Sequence, residues 1–256
     1  MTSPNHEFVK ANLNLYAVLQ NLEDLVEKDS DSASFAKNWN ETIQFSVMGG
    51  PEAYVSFKNG VCKAGRGRAG KATIKLYFLS PAHLNKMFDN KGAPIPLKGF
   101  TKLPFLATKF SKLTKRLEYF LKPTDVLLAD PNYRALNTLF TLNTAVFAAA
   151  ELSSHEDFSK ASVAGLKKGE VLMKVLPEGP CAHISFDNGA ISAQKGDSKE
   201  ATAFMYMRNV DVANAFLNQK TDAFSAIAKG DVAIWGQMPF LDALSRVLDR
   251  IPLYLA

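Results

Sequence analysis

Hydrophobic and polar residues alternate over two stretches of the chain that end in the same dipeptide. In "AYVSFKNG" (residues 53–60), Ala53, Val55 and Phe57 fall on one face of an extended strand, and "AHISFDNG" (182–189) repeats this pattern. Asn-Gly is the commonest two-residue turn between antiparallel strands. The pattern predicts two half-buried strands, each closed by a hairpin turn.

The similarity of these two stretches extends well beyond the turn. At a constant spacing of 129, residues 53–77 align with residues 182–206 without a gap, and 10 of the 25 positions are identical. The same spacing pairs Glu41 with Glu170 upstream, and the tripeptide "PFL" recurs at a spacing of 135 downstream. A repeat of this length indicates a duplicated domain. We therefore expect two tandem copies, residues 1–128 and residues 129–256.

Helical periodicity precedes the strands in each copy. Leu15, Leu22 and Val26 recur at helical spacing in the first copy. In the second copy, Ser154 and Asp157 have the spacing of a capping box, which predicts a helix start after Ser154.

Further helices follow the predicted strands, and the second copy alone has an extra helical segment, "TDAFSAIAKG". Short strands grouped together, with helices before and after, predict an α+β fold for each copy. We expect the two copies to pack as an internal pseudo-dimer. Tyr77 and Tyr206 are candidates for the contact between them.

The composition is that of a globular protein, with 47% hydrophobic and 21% charged residues. We find no apolar run of the ~18 residues that a membrane span needs and no secretory signal at the start. The two cysteines, Cys62 and Cys181, occupy unrelated positions and lack metal-site spacing. A reduced, cytoplasmic protein is the expectation.

Basic residues are concentrated in the first copy. Residues 1–128 carry 18 Lys/Arg and 11 Asp/Glu, a balance of +7, whereas residues 129–256 carry 12 and 14, a balance of −2. Within residues 58–122 the contrast is 15 basic residues against Asp89 and Glu118 alone. The two copies therefore differ in electrostatic surface.

No motif points to catalysis, a metal or a cofactor. The stretch "GRGRAGK" (65–71) fits a dinucleotide-loop pattern, but a strand follows it where such a loop needs a helix, so it predicts a hairpin turn. The four histidines are scattered over both copies: His6, His83, His155 and His183. We expect no catalytic residues, no metal ligands and no cofactor.

The order of these elements and their amino-acid sequences resemble those of the sterol carrier protein type 2 family of lipid-transfer proteins. The resemblance covers about residues 43–121 and 170–255, and is carried by "VSFKNG", "ATIKLYFLSPAHLNKMF" and "ISFDNGAISAQKGDSKEATAFMYM" through "GDVAIWGQMPFLDAL". It implies, for each copy, a mostly antiparallel five-stranded sheet covered by helices, with an apolar tunnel for sterols or acyl chains. The first copy departs from the pattern, since "NKGAPIPLKGF" replaces the short helix before its last strand.

The second copy supplies the candidate tunnel residues. Bulky residues at such spacing are usually ordinary core, whereas the family resemblance implies a partly hollow interior, and methionines adapt to varied ligand shapes. The candidate ligand-binding residues are Met205, Met207, Phe224, Ile227, Trp235, Met238, Phe240, Leu241, Leu244 and Leu248.

The closing helix of the first copy is amphipathic and basic. Such a helix can lie on an anionic membrane, although an apolar stripe with a solvated charged face is also the pattern of an ordinary surface helix. No recognised nucleic-acid motif accompanies the charge, and we expect no nucleic-acid partner. The candidate membrane-docking residues are Arg66, Arg68, Lys71, Lys109, Lys112, Lys115 and Arg116.

Together these features predict non-catalytic binding or transfer of a lipid, sterol or fatty-acyl-like ligand, chiefly by the second copy. The alternative is an interaction or accessory module of a lipid-metabolising enzyme, with a filled core and no ligand. Ligand extraction from the purified protein distinguishes the two.

Overall fold

The structure is a computed structural model that describes residues 4–255. The chain divides into two compact units, and the division falls between Tyr119 and Phe120, within the last turn of the helix that ends at Leu121. We call them the first unit and the second unit.

The first unit begins with helices, continues with strands and ends with a long helical segment. Its elements are α1 (Pro4–Asn12) with a π-helical continuation (Leu13–Val18), α2 (Asn21–Lys28), α3 (Ser30–Ala36), β1 (Thr42–Val47), β2 (Glu52–Lys58), β3 (Val61–Arg66), β4 (Ile74–Phe78), α4 (Pro81–Phe88), β5 (Ile95–Lys98), a 3₁₀ turn (Phe100–Lys102), α5 (Leu103–Phe105), a π-helical segment (Leu106–Phe110) and α6 (Ser111–Leu121).

The second unit repeats the order of helices and strands and adds a short helix before its last strand. Its elements are α7 (Asp125–Leu128), α8 (Pro131–His155), α9 (Asp157–Val163), β6 (Lys168–Val175), β7 (Cys181–Asp187), β8 (Ala190–Lys195), β9 (Ala203–Met207), α10 (Val210–Leu217), α11 (Ala223–Ala228), β10 (Val232–Gly236), α12 (Met238–Leu248) and α13 (Pro252–Leu255).

Each unit contains a five-stranded sheet, and the two sheets have the same connectivity. The strand orders are β3-β2-β1-β4-β5 and β8-β7-β6-β9-β10. The α+β prediction is confirmed. Each sheet is mixed, because β4 lies parallel to β1 and β9 lies parallel to β6, while the other neighbouring pairs are antiparallel. The parallel pair arises because the chain leaves the hairpin and returns to the free edge of the first strand.

The alternating pattern at the first hairpin is confirmed. Ala53, Val55 and Phe57 are between 0% and 2% exposed, so this face of β2 lies in the core. Asn59 and Gly60 have φ angles of 50° and 81°. Both central residues of a type I′ turn need positive φ, which is why Asn-Gly closes the hairpin.

The structural correspondence of β1 and β6 differs by one residue from the sequence spacing. Judged by their partners in the adjoining strands, Ile43 and Val171 hold the same place. Glu170 therefore stands where the first unit has Thr42, and the expected equivalence of Glu41 and Glu170 is wrong. The connection between β6 and β7 is one residue longer than that between β1 and β2, so the spacing of 129 holds again from β7 onward.

The predicted capping box at Ser154 is also wrong. Helix α8 continues through His155, and the Ser154 hydroxyl donates to the Ala150 carbonyl at 2.8 Å. The residue that caps α9 is Glu156, whose carboxylate accepts from the Ser159 backbone N–H at 2.7 Å. Serine hydroxyls bond readily to the preceding helical turn, which lets the helix continue past this position.

Candidate functional site

A cavity of about 310 Å³ lies in the second unit. It is partly open to solvent and is bordered by the end of α8, by α9 and the turn after it, and by the β7–β8 hairpin. Its walls combine apolar and polar surface in similar amounts. The lining residues are Ser153, Ser154, Lys160, Val163, Ala164, Leu166, Phe186, Gly189 and Ile191.

The hairpin forms one wall of the cavity because of its turn and its register. Asn188 and Gly189 have φ angles of 49° and 93°, as a type I′ turn requires. Phe186 pairs with Ile191 in neighbouring strands, and paired residues share a face of the sheet. Both side chains therefore project to the side that α8 covers.

Two polar groups mark this cavity. The Ser153 side chain lines it from α8 and is only 4% exposed, yet its hydroxyl forms no hydrogen bond with any residue of 4–255. A buried hydroxyl without a partner costs about 1–3 kcal/mol, so it favours a polar ligand atom or a water. Lys160 is exposed on the wall and adds a positive charge.

The predicted ligand-binding residues divide into a buried and an exposed set. Within the core lie Met205, Met207, Phe240, Leu241 and Leu244, with Leu248 half-buried. Exposed on the surface lie Phe224, Ile227, Trp235 and Met238. None of these ten residues lines the cavity described above. Phe240 connects the buried set to the cavity, because its ring lies 5.5 Å from the ring of the cavity residue Phe186.

Trp235 lies on the opposite face of the sheet from the methionines. It pairs with Phe204 in β9, and residues facing each other across a ladder share a face. The Trp235 ring stacks on Phe204 at 5.0 Å and meets the Tyr206 ring edge-on at 4.6 Å. Met205 and Met207 alternate with these aromatic residues and face the core. Strand alternation thus places Trp235 on the opposite face from Met205 and Met207.

A polar cluster on β6 and β7 was not predicted from the sequence. The Ser185 hydroxyl donates to the Glu170 carboxylate at 2.5 Å, and His183 Nε2 lies 4.0 Å from the same oxygen, Oε2. The other ring nitrogen of His183, Nδ1, is 3.2 Å from the Gly196 carbonyl. These residues meet because they alternate along adjoining strands, a relationship that only the register reveals.

The candidate membrane-docking residues are also divided by the structure. Several are engaged inside the first unit: Arg66 lies over the Tyr16 ring, Arg68 pairs with Glu52, Lys112 lies over the Phe35 ring, and Arg116 pairs with Asp29. Lys71, Lys109 and Lys115 are exposed and form no ion pair within residues 4–255. Arg66 closes β3, which is the sheet edge opposite β5.

Two general features complete the description of residues 4–255. Among them we find no group of three or more histidine, cysteine, aspartate or glutamate side chains placed to hold a metal ion. None of their helices combines the length and the apolar character needed to cross a membrane.

Comparison with known proteins gave matches among solved structures only. No family model matches the chain, and no curated protein matches it. A protein described as "UbiJ-SCP2 Ubiquinone synthesis protein" is 13% identical, with 45% of this chain and 92% of that chain covered and a TM-score of 0.31.

Two further structures resemble the chain at a similar level. Sterol carrier protein-2 like-3 from Aedes aegypti is 14% identical, with 36% of this chain and 92% of that chain covered and a TM-score of 0.24. The sec-alkylsulfatase Pisa1 from Pseudomonas sp. is 10% identical, with 57% of this chain and 28% of that chain covered and a TM-score of 0.27. Similarity at this level does not assign the chain to a family.

Proposed function

We propose that this protein binds and carries an elongated apolar ligand, without catalysis, and that the second unit holds it. The observation that carries the proposal is the cavity of about 310 Å³ beneath the β7–β8 hairpin. Its volume is at the lower end of the ~300–1,000 Å³ range of ligand pockets.

Desolvation supplies the binding free energy in this proposal. Val163, Leu166, Phe186 and Ile191 present aliphatic and aromatic surface to the cavity. Each CH₂ group that leaves water for such surroundings contributes about 0.8 kcal/mol, against which the ordering of a flexible chain must be set.

The polar groups of the cavity favour a ligand with an acidic head. Lys160 carries a charge that would pair with a carboxylate, and the unpartnered Ser153 hydroxyl would donate a hydrogen bond. A fatty acid or a related acyl compound combines such a head with an apolar chain. This chemistry agrees with the sterol-carrier resemblance of the sequence.

The test is displacement of a fluorescent fatty acid, together with mass spectrometry of organic extracts from the purified protein. Ile191→Trp fills the cavity from β8, and we expect it to weaken probe binding at least tenfold. Ser192→Trp is the matched control, because Ser192 is the next residue of β8 and is exposed on the other face. It should bind the probe as the unaltered protein does.

Two results would contradict the proposal. One is equal probe binding by the two tryptophan variants, which would place the ligand elsewhere. The other is an empty extract combined with no probe binding by the unaltered protein, which would favour an interaction module with a filled core.

A further inference from the structure

The last strand of the first unit and the turn after it expose a group of large apolar side chains. The exposed fractions are 37% for Ile95, 56% for Leu97, 63% for Phe100 and 39% for Leu103. We call these four residues the apolar tip. Single exposed apolar residues are normal on protein surfaces, but a local group of large ones marks a contact site.

We propose that the apolar tip inserts into the headgroup region of an anionic lipid bilayer, and that the lysines around it hold the first unit there. This goes beyond ligand binding by the second unit and does not depend on the cavity. The tip lies outside the set of docking residues expected from the sequence, which named basic residues alone.

The backbone around the tip is shaped to expose it. The β4–β5 pairing shifts register between Lys75 and Leu76, and this bulge leaves Leu97 as an extra residue of β5. β-Bulges at sheet edges re-aim side chains. Gly99 then turns the chain with a φ of 85°, and a Cβ atom at this position would lie 2.8 Å from the Thr73 carbonyl oxygen. Only glycine allows the turn that carries Phe100 outward.

The second unit lacks the bulge at the corresponding place, although Trp235 and Met238 near Gly236 are also exposed. β10 pairs with β9 in continuous register from Val232 to Gly236, so no extra residue bulges outward. Gly236 repeats the positive φ, at 92°, and its backbone also approaches a threonine carbonyl, that of Thr202. The shared glycine shows that the turn itself is common to both units, while the bulge and the exposed Phe100 belong to the first.

Basic residues dominate the sequence around the tip, although the Glu41 carboxylate pairs with Lys102 at 2.5 Å. Between Asp89 and Glu118 the chain carries seven basic residues and no acidic one. Lys91, Lys109 and Lys115 are exposed and form no ion pair within residues 4–255. Lys109 lies in the helical segment that follows the tip, six residues after Leu103.

A membrane is the partner that uses both properties of this surface. Anionic lipid attracts lysines, each multiplying the affinity by roughly fivefold near the surface, and the headgroup boundary buries aliphatic and aromatic side chains. Nucleic acid would use the charge, but it gains little from Ile95, Leu97 and Leu103. A protein groove would bury the apolar side chains, but an apolar groove by itself offers no negative charge to the unpaired lysines.

Co-sedimentation of the full chain with vesicles tests the proposal. We expect binding to phosphatidylcholine vesicles that contain phosphatidylserine, weak binding to pure phosphatidylcholine, and a decrease as salt screens the charges. Leu97→Gln/Phe100→Gln should lower binding at least tenfold at every salt concentration. Lys109→Gln/Lys115→Gln should remove most of the preference for phosphatidylserine while leaving the weak binding to neutral vesicles.

Matched controls come from the opposite edge of the same sheet. Val61→Gln removes an apolar side chain that is 56% exposed, and Lys58→Gln/Lys63→Gln removes two exposed charges at the β2–β3 hairpin. Both controls should bind vesicles as the unaltered protein does. Because all the altered side chains are exposed, the circular dichroism spectrum should be unchanged in every variant.

Insertion has a direct spectroscopic signature. Phe100→Trp should show a blue-shifted emission with anionic vesicles and quenching by brominated lipid chains. Undiminished binding of the Leu97→Gln/Phe100→Gln variant, or equal losses in the controls, would overturn the proposal. So would tighter salt-sensitive binding to an oligonucleotide than to vesicles, or a tip that binds a protein partner and no vesicle.

Discussion

Arg116 forms a two-pronged ion pair with Asp29, a residue that lies 87 positions earlier in the chain. Its Nη2 atom is 2.7 Å from Oδ1 and its Nε atom is 3.1 Å from Oδ2. The same carboxylate accepts hydrogen bonds from the backbone N–H and the hydroxyl of Ser32, at 3.0 and 2.6 Å. Asp29 thus caps α3 and fixes α6 to it.

The second unit contains a corresponding arrangement around Glu156. Its carboxylate accepts from the N–H and the hydroxyl of Ser159, both at 2.7 Å, and from Arg250 at 2.9 Å. Glu156 caps α9, which forms a wall of the cavity. This ion pair therefore holds the cavity wall to the end of the closing helix.

The acidic members of both pairs have altered pKa values. Burial alone would raise the pKa of Asp29, but hydrogen bonds from Arg116 and Ser32 outweigh it and hold that pKa below its ordinary value. Burial likewise opposes ionisation of Glu156, and bonds from Ser159 and Arg250 keep its pKa low. Both carboxylates are charged at neutral pH and stabilise the fold in that form.

Replacement of Arg116 by glutamine should destabilise the first unit. The Asp29 side chain is 5% exposed and would keep its charge without its partner, so we expect a loss of about 1–2 kcal/mol in the free energy of unfolding. Urea unfolding followed by tryptophan emission measures this. A Trp235→Phe background leaves Trp39, which lies in the core of the first unit, as the reporter.

The matched control is Arg68→Gln. Arg68 also forms an ion pair, with Glu52 at 2.8 Å, but its side chain is 81% exposed. Exposed pairs contribute little, so the unfolding midpoint should not change measurably. Equal shifts in the two variants would show that the Asp29 pair has no special role.

The contribution of Asp29 should depend on pH. Its pKa is lower in the folded than in the unfolded protein, where it is about 3.9. The stabilisation is therefore present above the unfolded value and is lost as the pH falls through the folded one. The difference in unfolding free energy between the unaltered protein and Arg116→Gln should be largest near neutral pH. It should shrink below about pH 4.

Urea titrations repeated at several pH values provide the measurement. A pH-independent difference would mean that the variant acts by lost packing of the arginine stem and not through the carboxylate. A difference that grows in acid would contradict the direction of the pKa shift.

Two serines on either side of Glu156 should respond in opposite ways to alanine substitution. Ser153→Ala removes a buried hydroxyl that has no partner within residues 4–255, so the ligand-free second unit should keep its stability or gain up to about 1 kcal/mol. Ser159→Ala removes a hydroxyl that donates to Glu156 and should lose about 1 kcal/mol.

Trp235 emission in a Trp39→Phe background reports on the second unit in both variants. A loss of stability in Ser153→Ala as large as that in Ser159→Ala would show that the Ser153 hydroxyl is satisfied in the folded protein, by ordered water for example. The same Ser153→Ala variant should bind the fatty-acid probe more weakly if its hydroxyl contacts the head of the ligand.

The sequence by itself determined the local features of this protein. Alternation along 53–60 predicted the buried face of β2, and Asn59-Gly60 predicted the turn, because both depend on neighbours within a few residues. The extra helix of the second unit, α11, was visible as helical periodicity for the same reason. The order of elements was sufficient to predict an α+β fold.

Only the tertiary structure decided which distant residues meet. The pairing of Arg116 with Asp29, the one-residue offset of β6, and the placing of Trp235 on the outer face all depend on register and on contacts far apart in the chain. The apolar residues that line the cavity follow the same sequence pattern as ordinary core residues, so no local pattern distinguishes the two. The exposure of Phe100 likewise depends on the β5 bulge and the Gly99 turn acting together, and hydrophobic periodicity predicts neither of them.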